Sequence, residues 1–191
     1  MGTTRLLFEQ AIKPIKLPKL APGERREIEV PAGESLFFLS QTGESDARYV
    51  FNLRHAGTSV RVTGLVEATG ESAPTLLTET VHHSPNTKAE MLIHTIAYDA
   101  AQPRYTGLIR IEKGAVGAES YLNHHSLLIG EKAASWTLPS LEIKNNEVRC
   151  SHAATVRTVN DLDLFYLRSR GMDKDAARDM IIEAFRAEVG K

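Results

Sequence analysis

A single cysteine among 191 residues leaves no partner for an intrachain disulfide and suits a reducing compartment. Excess charge of either sign is equally lacking. The formal net charge is −1, so nothing in bulk draws the chain to nucleic acid or to an anionic membrane. No window approaches the roughly 18 apolar residues of a membrane span. The start, MGTTRLLFEQ, has only Leu6–Phe8 as an apolar run, too short for a signal-peptide core, and Leu6 stands where a myristoylation motif wants Ser or Thr. Glycine-rich phosphate loops, zinc spacing of the CxxC type and a nucleophile elbow are all missing. These absences point to a cytoplasmic chain with no nucleic-acid and no membrane partner.

What is present is an ordinary globular balance, 42% hydrophobic and 25% charged, compatible with one domain and a sizeable core. Residues 1–24 hold Pro14, Pro18 and Pro22 and read as an extended lead-in. From 25 to 159, short β-branched and aromatic runs alternate with Gly, Pro, Asn and Ser breaks, as in Val60 and Val62 against Arg61 and Thr63. At a shift of 29 residues four segments align: Ser59–Thr63, Lys88–Leu92, Gly117–Tyr121 and Asn146–Cys150. A repeat of this length, with two or three strands per unit, suggests a coiled β architecture. An antiparallel jelly roll gives a similar strand count, and rhythm alone does not separate the two.

Residues 160–191 change period. Asn160 is a good N-cap, and Asp161 and Asp163 sit in the first turn of a helix that Gly171 stops. Leu162, Phe165 and Tyr166 share one face, with Arg168 and Arg170 in the last turn, where they complement the helix dipole or pair with a docked partner. Asp173 caps a second helix whose stripe is Ala176, Ala177, Met180, Ile181, Ala184 and Phe185. Such a pair either caps the end of a β coil or docks a partner protein.

Cys150 and His152 lie two apart on an expected strand, so both point to one face and can present sulfur and imidazole to a soft metal. A lone strand cysteine is as readily a small buried hydrophobe. His55, His82 and His83 read as surface histidines. His94, two repeats before His152, falls in the same expected column, with Asn123 midway. A cupin-like mononuclear metalloenzyme using His82, His83 and His94 is a minor alternative.

The run SLLIG…PSLEIKNNEVRCSHAATV…LFYLRSRG, continuing to Val189, resembles the C-terminal region of the SufB/SufD family, scaffold subunits of SUF iron–sulfur cluster assembly. The resemblance implies an all-β core with C-terminal helices. This would be a right-handed parallel β-helix, a solenoid of short strands capped by two short α-helices. It also implies a non-enzymatic scaffold that handles a transient iron–sulfur cluster, an ABC-type ATPase partner (SufC-like) on the helical segment, and a homodimer or heterodimer through the β-helix. His152 and Cys150 match the SufD-like wording. His124 stands where SufB-like members carry their cysteine, which weighs against cysteine-based assembly of that type. Since clusters usually take four protein ligands, a second subunit, His124 or Glu119 would complete the set. Leu162, Phe165, Tyr166, Arg168, Arg170, Ile181 and Phe185 are the expected partner-binding residues. The alternative within the family is a structural adaptor subunit that has lost the cluster.

Overall fold

The protein is described here by a computed structural model covering residues 13–43 and 45–189. The start of the expected lead-in lies outside the described residues. The chain runs β1 (Ile15–Lys16), β2 (Glu24–Glu29), β3 (Glu34–Thr42), β4 (Ala47–Leu53), β5 (Ser59–Ala68), β6 (Thr75–His82) and β7 (Lys88–Ala97). It continues with β8 (Arg104–Ile111), β9 (Glu119–Leu128), β10 (Trp136–Ile143), β11 (Arg149–Thr158), α1 (Asp161–Ser169) and α2 (Lys174–Ala187).

Odd-numbered strands form one six-stranded sheet and even-numbered strands a five-stranded one, with every pairing parallel. Each coil therefore gives one strand to each sheet, and the fold is a parallel β-solenoid. The sheet already begins in the expected lead-in, where Ile15 and Lys16 pair with Phe37 and Phe38.

Alternation sets the inward face. In β7 Ala89, Met91 and Ile93 are buried inside, while Lys88 and Glu90 point out. Backbones with positive φ recur at one corner, at Gly57, Asn86 and Gly117, where each amide donates to the next coil: to Pro85, Val116 and Glu147. The constant shift of 29 holds only locally. Ser59 pairs with Lys88, but Lys88 pairs with Glu119 and Glu119 with Arg149, because the later corners carry extra residues. The expected columns slip accordingly: His94 pairs with His125, which in turn pairs with Thr155, while His152 pairs with Leu122.

The helices do not cover the end of the solenoid. α2 lies on the outer face of the odd-strand sheet, where Ile182 and Phe185 pack on Ile96 and Leu127. Arg186 donates to Glu67 and Tyr98, and Arg178 donates to the Ile129 carbonyl. Its buried stripe is Ala177, Ile182, Phe185 and, beyond the helix, Val189, one position round from the expected one, and Met180 is left outside. Among the described residues the last coil, β10 and β11, therefore has no coil stacked on it.

Candidate functional site

The uncovered coil sets the geometry. Register places Cys150, His152, Ala154 and Val156 over the inward residues Ser120, Leu122, His124 and Ser126. Across the coil, Leu141 and Ile143 sit over the inward Ile109 and Ile111, yet are 39% and 43% exposed because nothing follows them. Trp136 and Leu138, on the outer face of β10, are also exposed. The end of the solenoid is thus an apolar floor with two free strand edges and a sulfur and an imidazole on one rim.

Cys150 is a free, half-buried thiol packed against the core beside Val148, and burial pushes its pKa up. His152 is exposed and makes no hydrogen bond among the described residues. His124 lies inward, one coil below, diagonal to His152 and under Ala154. Its ring is fully buried and stacked on Tyr105, Nε2 bonds Thr95 Oγ1, and Nδ1 bonds Thr137 Oγ1. Burial, with His125 and His94 nearby, lowers its pKa to about 3. Both ring nitrogens are in use, so in this packing His124 completes no ligand set.

Glu119 is a correction. It is the register partner of Arg149, on the outer face, and pairs with the Arg149 guanidinium at 3.2 Å, while Cys150 faces inward over Ser120. Strand parity puts it on the opposite side of the sheet from Cys150 and His152. Among the described residues no three His, Cys, Asp or Glu side chains converge as metal ligands.

The cupin-like arrangement also fails. His82 is not a surface histidine: it is fully buried in the even-strand sheet, with Nδ1 on Thr87 Oγ1, and burial lowers its pKa to about 4. His94 is on the odd-strand sheet under α2. His83 is half-buried and bonds Asn52, and His55 is exposed.

α1 has no buried residue, and Phe165 is 73% exposed beside the similarly open Leu162 and the exposed Tyr166. Asn160 caps it through the Leu162 amide, and Arg170 stacks over Tyr166. Arg168 is exposed as well, and Ile181 is half-buried. Phe185 is the second correction. At 2% exposure it is spent inside the chain, stacked on His94 at 4.1 Å between centroids with Arg157 over its ring.

A family model described as SUF system FeS cluster assembly, SufBD core domain, matches residues 39–185. The chain belongs to the SufBD core family. The iron–sulfur cluster assembly protein SufD of Escherichia coli is 38% identical over 108 residues, which is 56% of this chain and 26% of that protein. SufD of Bacillus subtilis is 30% identical over 151 residues, 79% of this chain and 35% of the relative. A SufBD family protein of Mycobacterium tuberculosis is 33% identical over 111 residues, 58% of the chain and 13% of the relative. The SufBD chain thus spans between 13% and 35% of the length of these three relatives.

No helix among the described residues of this SufBD protein is long and apolar enough to cross a membrane. Sequence reading missed Leu138, Leu141, Ile143 and Val156, and took Trp136 for a packing residue. Their alternation is that of any strand: Leu141, Ile143 and Val156 are exposed because no further coil covers them among the described residues, and Trp136 and Leu138 because they face outward on β10.

Proposed function

We propose that this SufBD protein is a scaffold subunit of SUF iron–sulfur cluster assembly and not itself an enzyme. In this reading a second SufB/SufD-type subunit seats on the open end of the solenoid, and an ABC-type ATPase (SufC-like) docks on the apolar face of α1. The cluster is cargo. The carrying observation is that Cys150 and His152 stand together on the inward face of a coil whose apolar floor is uncovered. Two donors are half of the four a cluster takes, so the remainder comes from the seated subunit. Exposed Leu162, Phe165 and Tyr166, with Arg168 and Arg170 beside them, support the ATPase surface. Burial raises the Cys150 thiol, so its proton must leave as the sulfur binds iron rather than before.

The test is anaerobic reconstitution with iron and sulfide in the presence of the ATPase and a second SufBD-type subunit. A ternary complex with cluster absorbance that Cys150→Ala together with His152→Ala abolishes is the expected result. A complex that forms without cluster absorbance leaves an adaptor subunit, and cluster absorbance that Cys150→Ala with His152→Ala leaves unchanged removes those residues as ligands; either result overturns the reading.

A further inference from the structure

His94 is the buried polar group the proposed function does not use. Its ring is 0% exposed, sandwiched between the sheet and α2, stacked on Phe185 and edge-on to His125. Nδ1 lies 2.9 Å from the Phe185 carbonyl oxygen. A carbonyl only accepts, so Nδ1 carries the proton and Nε2 keeps its lone pair. Among the described residues that Nε2 has no hydrogen-bond partner, and the charged group opposite it is the Glu188 carboxylate, with Oε2 at 3.7 Å. Two acceptors therefore face each other across a gap too long for a hydrogen bond. A positive species between them turns that repulsion into attraction. A proton on Nε2 is disfavoured, because burial holds the His94 pKa below the ordinary histidine range.

We propose that His94 Nε2 and Glu188 form a binding site for a divalent first-row transition ion at the seam between α2 and the odd-strand sheet. Ligand bonds of about 2.1 Å to N and O span a 3.7 Å separation at an angle of roughly 120–125°, near what such ions accept. The fixed Nδ1–H tautomer is the one a metal-binding imidazole adopts when its other nitrogen donates to a carbonyl. Glu188 also lines a groove of about 510 Å³ with Asn123, Tyr121, Glu90 and Arg61, so an ion would reach the pair from the Glu188 side, with water as its remaining ligands there. An imidazole–carboxylate pair selects zinc, cobalt, nickel or iron(II) over calcium and magnesium. The site is independent of Cys150 and His152, which face inward on β11.

The test uses the whole chain at neutral pH, titrated with Co²⁺ by visible absorbance and with Zn²⁺ by calorimetry. One ion per chain is expected to bind in wild type and equally in the Cys150→Ala, His152→Ala double variant. Glu188→Gln, a change at an exposed carboxylate that spares folding, should weaken binding at least tenfold. In ¹⁵N spectra Zn²⁺ should shift His94 Nε2 and leave His124 alone. No saturable binding, or binding that Glu188→Gln leaves intact and the Cys150/His152 variant removes, overturns the site.

Discussion

Phe185→Ala separates a helix that belongs to the solenoid from one held ready for a partner. Phe185 buries its ring between His94, Ile96, Leu127 and the Arg157 guanidinium, and deleting a buried phenyl group costs about 3–5 kcal/mol. That range exceeds the ~0.5–1 kcal/mol of an exposed cation–π contact, so lost packing dominates. Against a domain stability of about 5–15 kcal/mol, such a loss is large. α2 can detach while the coils stay intact, so the damage should fall on the helix first. Amides of Ala177–Phe185 should lose hydrogen-exchange protection, and the helical part of the urea transition should move to lower denaturant. Phe165→Ala, at a ring the solvent already reaches, should change stability by no more than about 0.5 kcal/mol. A Phe185→Ala protein whose α2 stays protected and whose urea midpoint matches wild type would refute the packing argument.

Acid should weaken the core through histidines. Burial lowers His82 to about 4 and His124 to about 3, whereas the unfolded rings titrate near 6.5. The unfolded state binds more protons below that pH, so stability is complete above about 6.5. It falls as pH drops toward 4 and 3, by on the order of 3 kcal/mol per ring. A urea midpoint that stays flat between about pH 7 and 4 contradicts this. Gly130→Ala drives a methyl into the Asp99 carbonyl oxygen, a backbone atom that cannot swing aside, and should cost about 1–3 kcal/mol in chemical denaturation. Glu79→Gln removes a buried carboxylate from between Arg48 and Arg110 and should cost about 1–3 kcal/mol, with a wild-type urea midpoint as the contrary result. Ile143→Glu should leave monomer stability within about 0.5 kcal/mol, since the side chain is already wet, while abolishing association measured by light scattering. Retained association would remove the open coil as the interface.

The coiled β architecture was legible because inward and outward residues alternate in every strand and the corners punctuate them. The exact coil length was not. Ser59–Lys88 obeys the 29-residue shift, but extra corner residues move Glu119 and Arg149 out of phase, and a one-residue slip reverses which face a side chain occupies. The one-residue slip between β9 and β11 made Glu119 look like a companion of Cys150, and the three residues accumulated from β7 to β11 put His94 in the column of His152. The face of α2 was misread by one position because Ala176 and Ala184 fit the apolar stripe as well as Ile182 does. Only contact with Ile96 and Leu127 selects the buried set.

The order of residues by itself determined the family, the shared strand face of Cys150 and His152 and the break from strands to helices at Asn160. Those depend on local period, capping and wording. Tertiary structure alone decided which surfaces are left over. A residue is exposed at the end of a solenoid because no later coil covers it, and Phe185 is spent because a sheet lies beneath it. That Leu141, Ile143 and Phe165 are exposed while Phe185 is buried is a fact about neighbours distant in sequence, which no local pattern carries.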